Sequence, residues 1–532
     1  MTDCLHSRQG LLIIGKLAIR SHYRMETLTL RMLILDQIRF RSARVSLARI
    51  VSSMQNSLLA AFAPLAFATI VFVTSLDATT LAAEPVRSNI VFILADDLGY
   101  MDIGANNPKT FYETPNIDRL ARQGTRFTQG YAACPVCSPT RASIMTGKYP
   151  PRTGITDFIG GNRPGKLQPA PNQDHLALEE VTIAEQFRNA GYATFFAGKW
   201  HLGTGNFSPN AQGFGPGLVG RTQFYYPPND VPPDAQDDPK TTDRIAEEAV
   251  RFIEHNKDKP FFAYLPFQAV HTPIQARQDL VDKYEEKRKS AKPDAWGQER
   301  ERKVRLVQNH AAYAAMMEQM DAAIGRVLAA LQQSDIAERT VVVFTSDNGG
   351  LSTSEGHPTS NLPLRGGKGW PYEGGIRTPW IIRAPGVAKP GSVCETPVIT
   401  TDLYPTLLEL AGLPQAPEQH RDGESLVPLL KGSDLPRVAP LFWHYPHYGN
   451  QGGAPCGAVR DGDWTLIEWY EDGSLELFNR ANDRSEQNNL ITENPAKARE
   501  LHARLVAWRA DVQAVMPTPN PGFGVKQSPK AE

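Results

Sequence analysis

Cysteine is scarce in this 532-residue chain, which holds only Cys4, Cys134, Cys137, Cys394 and Cys456. So few thiols over such a length exclude a disulfide framework, and stability must come from a core. With 41% hydrophobic residues the chain can build a large one. Net charge is also missing: 56 Lys and Arg face 57 Asp and Glu, a balance of −1. Without a basic excess, no nucleic-acid partner is expected. Pro and Gly, 42 each, are too few for a low-complexity or collagen-like chain, and there is no internal repeat and no long linker. Cys134-Pro-Val-Cys137 has the spacing of a redox pair or half a metal site. No second CxxC exists to complete the latter, and the flanking residues are not those of a redox motif.

The charge that is present is unevenly spread. Residues 1–53 carry nine Lys or Arg against three Asp or Glu, so the remaining chain is mildly acidic. The uncharged run Leu58 to Leu76 follows, then small and polar residues up to Glu84-Pro85. Basic flank, apolar middle and small-residue exit read as a secretory signal peptide, and hence export to the periplasm or outside the cell. The competing reading is a retained anchor, since nineteen residues just span a bilayer. The absence of a basic stop after the run favours cleavage, so no stable membrane anchor is expected. The flank is longer than an ordinary n-region, which points to an internal start at Met25, Met32 or Met54.

From residue 88 the pattern alternates strand and helix. Ile90 to Leu94, Ala193 to Ala197, Phe261 to Phe267 and Val341 to Phe344 are apolar runs suited to strands covered on both faces. Between them, Pro115 opens a helix that Gly124 closes, and Thr182-Ile-Ala-Glu185 is a capping box. Apolar residues at three- and four-residue steps predict a long helix from about Asn309 to Gln333. This predicts an α/β fold, a large and mostly parallel sheet sandwiched by helices. Near residue 435 the pattern changes to short antiparallel strands around Ala458, Trp464 to Tyr470 and Leu475 to Phe478, closed by a helix from about Pro495 to Val512. The expected organisation is a leader with signal peptide over 1–83, a main domain over 84–435, a smaller α+β domain over 436–520 and a tail over 521–532.

Function in such sheets collects beyond the carboxyl ends of the strands. Four predicted strands run into polar residues there: Asp96-Asp97, Asp347-Asn348, Lys199-Trp-His201 and His271-Thr-Pro273. Singly, each reads as a turn, a helix cap, a solvated lysine or a structural histidine. Together, Asp96, Asp97, Asp347 and Asn348 are hard oxygen ligands that suit calcium or magnesium better than zinc. Lys199, His201 and His271 offer donors to an anionic substrate beside such an ion. Cys137-Ser-Pro-Thr-Arg141 reads as a helix start with Ser138 as cap and Pro139 at the first position. Cys137 then sits where free N–H groups favour anions and a low thiol pKa, with Arg141 one turn on along the same face.

These residues together resemble the type I, formylglycine-dependent sulfatase family, arylsulfatase-like members of the alkaline phosphatase superfamily. The resemblance covers residues 88 to 515 and rests on four motifs in the family's order. They are Cys137-Ser-Pro-Thr-Arg-Ala-Ser-Ile-Met-Thr-Gly147, the stretch from Gly191 through Lys199-Trp-His201 to Gly203, Leu364-Arg-Gly-Gly-Lys368-Gly, and Glu373-Gly-Gly-Ile-Arg-Thr-Pro379. It implies a sulfatase catalytic domain over 84–435 and a sulfuric ester hydrolase activity. It implies that Cys137 is converted before export to Cα-formylglycine by a formylglycine-generating enzyme reading CxPxR. The hydrated aldehyde attacks sulfur, and elimination from the resulting hemiacetal releases sulfate. It also implies one calcium ion held by Asp96, Asp97, Asp347 and Asn348, with Cys137 in its converted form as a further ligand. Arg141 holds the diol, Lys199 and Lys368 cradle the sulfate, His271 with Lys368 protonates the leaving alcohol, and His201 triggers release. A serine that some members add to the sulfate site cannot be placed.

Substrate choice is expected from loops around the cleft, Gly203 to Gly220 and the charged stretch Lys283 to Arg305, and from the second domain, which Trp443-His-Tyr-Pro-His-Tyr448 opens. His447 in the last is either a sugar contact or part of a domain-interface plug. A sulfated small molecule or glycan is the expected partner. Three other readings compete: a phosphatase or phosphonate hydrolase of the same superfamily, a silent relative that only binds sulfated glycans, and a thiol-redox protein using Cys134 and Cys137. The oxygen-rich site argues against the first, and intact Cys137, Arg141, Lys199 and His271 argue against the second. Conversion of Cys137 is incompatible with the third.

Overall fold

The run Asn-Ile-Val-Phe-Ile-Leu-Ala from Asn89 to Ala95 can be buried on both faces only inside a sheet covered above and below. The computed structural model, which describes residues 87–215, 238, 240–433 and 437–524, puts it there. Among the described residues the main sheet has seven strands. Their order is Ser392–Cys394, Thr125–Phe127, Trp380–Arg383, Thr340–Ser346, Asn89–Ala95, Phe261–Pro266 and Ala193–Phe196. Trp380–Arg383 alone runs against the others. The register pairs Ile93 with Phe344 on one side and with Leu265 on the other.

Alternate residues of the central strand feed two cores. Val91, Ile93 and Ala95 pack toward the helices Pro115–Gln123, Thr242–Asn256 and Ala311–Gln333. Ile90, Phe92 and Leu94 pack toward Ile183–Asn189 and Leu403–Leu410, with Ala142, Ile144 and Met145 of the helix Cys137–Thr146. The fold is therefore the expected mostly parallel sheet between helical layers. The capping box forms as written, with Glu185 N donating to Thr182 Oγ1 and Thr182 N to the Glu185 carboxylate.

The C-terminal segment forms a four-stranded antiparallel sheet in sequence order, Leu441–Tyr445, Cys456–Asp461, Trp464–Trp469 and Leu475–Asn479, with the helix Pro495–Asp511 against it. Its core includes Tyr131, Val136, Trp370 and Tyr372, and Trp443 Nε1 donates to the Ala132 carbonyl at 2.8 Å. Trp443 to Tyr445, at the start of the stretch expected to open the second domain, lies in the first strand of this sheet. The charged stretch before the long helix ends the helix Gln278–Arg288 and then makes the hairpin Trp296–Glu299 with Arg302–Arg305. The predicted leader, most of the tail and part of the Gly203 to Gly220 loop lie outside the described residues. Among the described residues no helix is long and apolar enough to cross a membrane.

Ile93 is fully buried between the two central neighbours. Ile93→Ala is expected to cost about 2–5 kcal/mol of stability. Urea denaturation checks it: the midpoint should fall while the slope stays unchanged.

Candidate active site

Strands Thr340–Ser346, Asn89–Ala95, Phe261–Pro266 and Ala193–Phe196 lie side by side and parallel, so their carboxyl ends form one rim. Backbone bonds tie the residues beyond that rim to one another. Asp347 N donates to the Ala95 carbonyl at 3.2 Å, Asp96 N to the Ala269 carbonyl at 3.0 Å, and Lys199 N to the Pro266 carbonyl at 2.8 Å. The last approach requires Gly198, at φ 135°, because a Cβ there would fall 1.9 Å from the Pro266 oxygen. Asp97 and His201 also take positive φ, 63° and 56°. Each non-glycine residue in that region costs about 1–3 kcal/mol, which the surrounding structure must hold in place.

The helix Cys137–Thr146 starts two residues earlier than expected. Val136 is its cap residue and Cys137 its first helical residue, while Ser138 Oγ instead accepts from Ile159 N at 3.0 Å. Arg141, one turn further on, is fully buried. Its Nε donates to Asp347 Oδ2 at 2.9 Å, one terminal nitrogen lies 2.7 Å from the same oxygen and 3.3 Å from Asp96 Oδ2, and the other donates to the Lys199 carbonyl at 2.6 Å.

Two lysines complete the charge cluster. Lys199 Nζ is 2.5 Å from Asp96 Oδ2, and Lys368 Nζ is 2.8 Å from the Asp97 carboxylate. Asn348 Nδ2 donates to Asp97 Oδ1 at 2.8 Å, and Asp97 N donates to Asp347 Oδ1 at 3.2 Å. Burial alone would raise Asp96, but Lys199, then His271 and Arg141, hold it well below the usual carboxylate range. Asp347 is pushed up to about 6 by burial and by the Asp96 charge, against Arg141 and Lys199. Burial would lower Lys368, yet Asp97 holds it above its ordinary range. Two carboxylates this close share the cost of ionisation unequally, and Asp96 takes the charge first.

Cys137 Sγ lies 3.3 Å from His201 Nδ1, and His201 Nε2 donates to the Ile159 carbonyl at 3.2 Å. That second bond fixes the proton on Nε2 and leaves Nδ1 as the acceptor facing residue 137. Burial first, then Lys199 and Arg141, push His201 well below its ordinary pKa, so the ring is neutral. The expected low thiol pKa is not found. Burial pushes Cys137 up, and the opposing charges of Lys199 and Lys368 do not reverse it. All four cysteines among the described residues are free. His271 presents Nε2 3.6 Å from Asp97 Oδ2, and burial, Lys368 and Lys199 lower its pKa.

The sequence-predicted residues Asp96, Asp97, Cys137, Arg141, Lys199, His201, His271, Asp347, Asn348 and Lys368 thus meet at one rim. His447 does not join them. It is 2% exposed, its Nε2 is 2.8 Å from Thr156 Oγ1, and its Nδ1 is 3.9 Å from Asp157. This places it behind the loop that carries Ile159, in the manner of a plug. Lys240, which carried no motif, is buried near the cluster. Burial and the Lys199 charge push it down to about 7, against Asp96 and Asp97. Only its position after folding identifies it.

Ligand atoms of Asp96, Asp97 and His271 lie within 4.8 Å of one another. Asp96 Oδ1 and Asn348 Oδ1 are buried without a hydrogen-bond partner among the described residues. Unsatisfied buried oxygens are costly and fit a hard cation. Three carboxylates here face three fixed cations, Arg141, Lys199 and Lys368. A divalent ion would therefore leave the site with about two positive charges, suited to an anionic substrate.

Comparison with known proteins points to one family. Residues 88–413 match the Sulfatase family model, and residues 367–511 match the model for the N-sulphoglucosamine sulphohydrolase C-terminal region. A sulfatase of Formosa agariphila is 34% identical over 79% of this chain and 88% of its own length. Human steryl-sulfatase is 29% identical over 74% and 75% respectively. The solved structure of Ps i-CgsB in complex with k-i-k-neocarrahexaose superposes with a TM-score of 0.66 at 29% identity, covering 82% of this chain and 96% of that one.

Arg141→Met leaves Asp96 and Asp347 buried without their guanidinium and is expected to cost about 3–5 kcal/mol. Arg141→Lys should rescue little of it, since one ammonium cannot replace the planar fork. Chemical denaturation of both variants checks this. His447 supplies a pH test, because burial, and then the His444 charge, push it down to about 3. Its stabilisation is complete above the unfolded-state value of about 6.5 and is lost progressively as pH falls toward 3. The stability gap between wild type and His447→Gln should therefore shrink by about 1.4 kcal/mol per pH unit below 6.5 in urea titrations.

Proposed function

The chain belongs to the sulfatase family, and from that premise we propose that it is exported and acts on a sulfated carbohydrate. We further propose that it uses one calcium ion and a Cα-formylglycine made from Cys137 by a formylglycine-generating enzyme. That it is a sulfuric ester hydrolase follows from its relatives. The carbohydrate reading is supported by the hexaose bound in Ps i-CgsB and by the sugar sulphohydrolase description of the C-terminal match. Export is supported by the leader's basic flank, apolar run and small-residue exit.

One observation carries the mechanism. Cys137 heads a helix 3.3 Å from His201, and Arg141, one turn on, grips Asp347 and Asp96 together. Asp96, Asp97, Asp347 and Asn348 would hold the calcium through oxygen. When present, the ion supplies Lewis-acid polarisation of a sulfate oxygen, and formylglycine supplies an oxygen nucleophile that a thiol lacks. Arg141 keeps residue 137 in register with the carboxylates. Lys199 and Lys368 bind sulfate oxygens, where negative charge grows as the ester bond breaks. His271 in its imidazolium form, its Nδ1–H held by the Thr272 carbonyl, delivers the Nε2 proton to the departing alcohol oxygen. Burial and the Lys368 and Lys199 charges lower its pKa, so it takes up that proton once a bound sulfate offsets the two lysines. Lys368 against Asp97 is the second donor. His201, with Nδ1 free to accept, takes a proton from residue 137 to release sulfate.

Cys137→Ala is expected to abolish hydrolysis of sulfate esters while leaving the circular dichroism spectrum and denaturation midpoint unchanged; residual wild-type turnover would overturn the nucleophile assignment. Mass spectrometry of the peptide spanning residue 137 should find an aldehyde in place of a thiol. Asp347→Asn should lose both bound calcium, read by elemental analysis, and turnover. Unchanged metal content would remove Asp347 from the ion's ligands.

A further inference from the structure

We propose that Glu355 is a positioning residue for the proton donor, fixing through Thr272 the direction in which His271 presents Nε2 to the leaving oxygen. The proposal rests on the reading of His271 as an acid given above. His271 follows the strand Phe261–Pro266 in a segment without regular structure that reaches to the helix Gln278–Arg288. Backbone bonds from Val270 N to the Asp96 carbonyl and from His271 N to the Gln268 carbonyl hold the start of that segment. Neither fixes the imidazole itself.

The ring is oriented by its neighbour. His271 Nδ1 donates to the Thr272 carbonyl at 2.6 Å and lies 3.5 Å from Thr272 Oγ1, so the proton given to a leaving oxygen is the Nε2 proton of the imidazolium. Nε2 therefore points the other way, toward Asp97 Oδ2 at 3.6 Å. Rotation of the Thr272 peptide would swing Nε2 with it. What holds Thr272 is its hydroxyl, which donates to Glu355 Oε2 at 3.1 Å.

Glu355 is well placed to act as an anchor. It belongs to the loop beyond Asp347-Asn348 and takes a left-handed φ of 52°, a costly conformation that its contacts must maintain. Its second oxygen, Oε1, accepts from Gln451 Nε2 at 3.1 Å and from Asn450 Nδ2. The carboxylate thus joins three segments: the His271 segment, its own loop and the turn ahead of the strand Cys456–Asp461. With donors on both oxygens, it is committed to holding the framework, not to binding substrate. General acid catalysis depends steeply on such placement, since a misdirected donor forfeits most of its 10²- to 10⁴-fold contribution.

The test separates acid positioning from plain structural support by varying the leaving group. Phenyl sulfate leaves as a basic phenolate that needs a proton, whereas 4-nitrophenyl sulfate leaves as a stable anion that does not. Glu355→Ala should lower kcat for phenyl sulfate about 10- to 100-fold, with KM little changed, and lower kcat for 4-nitrophenyl sulfate less than about threefold. Glu355→Gln, whose carbonyl oxygen still accepts from Thr272, should restore most of the phenyl sulfate rate. Thr272→Val removes the hydroxyl link without touching Glu355 and should reproduce the same selectivity, which keeps the test available if Glu355→Ala folds poorly. Equal losses on both esters in Glu355→Ala or Thr272→Val would overturn the proposal. His271→Ala run in parallel locates any failure. If it shows the leaving-group selectivity and the other two do not, Glu355 is merely structural. If it shows none, His271 is not the acid and the proposal loses its basis.

Discussion

One guanidinium holds the site together. Asp96 and Asp347 are fully buried at the ends of adjacent strands, where an uncompensated carboxylate would cost several kcal/mol. Arg141 compensates both, and its planar fork meets them at 2.7–3.3 Å while a further N–H reaches the Lys199 carbonyl. Because Arg141 lies one helical turn beyond Cys137, the same contacts that neutralise the strand ends also fix the head of the Cys137–Thr146 helix. Charge compensation and placement of residue 137 are a single interaction. A lysine at 141 could supply the charge but not the three-way geometry.

Around that interaction several residues hold costly backbone conformations. Asp97, His201 and Glu355 all take left-handed conformations, and Gly198 passes within what would be steric conflict for any side chain. Each such residue sits at the end of a strand or in the loop above one. The two cores on either face of the sheet, together with the third core shared with the C-terminal sheet, supply the rigidity that these conformations require. The C-terminal sheet enters the site's support as well, since Asn450 and Gln451 brace Glu355.

Much of this was legible in the sequence because the physics was local. Apolar runs ending in Asp96-Asp97, Lys199-Trp-His201, His271 and Asp347-Asn348 located four strands and the rim they share, and the Cys137 to Gly147 motif located the helix that Cys137 heads. What escaped was non-local or short. Thr125–Phe127, Trp380–Arg383 and Ser392–Cys394 are too brief to show a period, and pairing across the sheet makes them strands. Trp443-His-Tyr opens the C-terminal segment, and its strand shows only once Cys456–Asp461 pairs with it. Lys240 and Glu355 carry no motif at all, and only the fold brings them to the rim.

The thiol is where local reasoning and the structure part, and the difference is instructive. A helix head ought to lower a thiol pKa, but Cys137 is 2% exposed, and desolvation outweighs the dipole and both lysines. As a cysteine it would be a protonated, weak nucleophile. The proposed conversion would instead place there an oxygen group beside Asp96, Asp347 and the accepting Nδ1 of His201. Ser138, Pro139, Thr140 and Arg141 are as buried as Cys137, so no enzyme could read CxPxR in the folded chain. Under the proposed conversion, the order of events is therefore dictated by packing: modification first, then closure of the sheet and helix around residue 137, then capture of the ion by carboxylates that Arg141 has already drawn together.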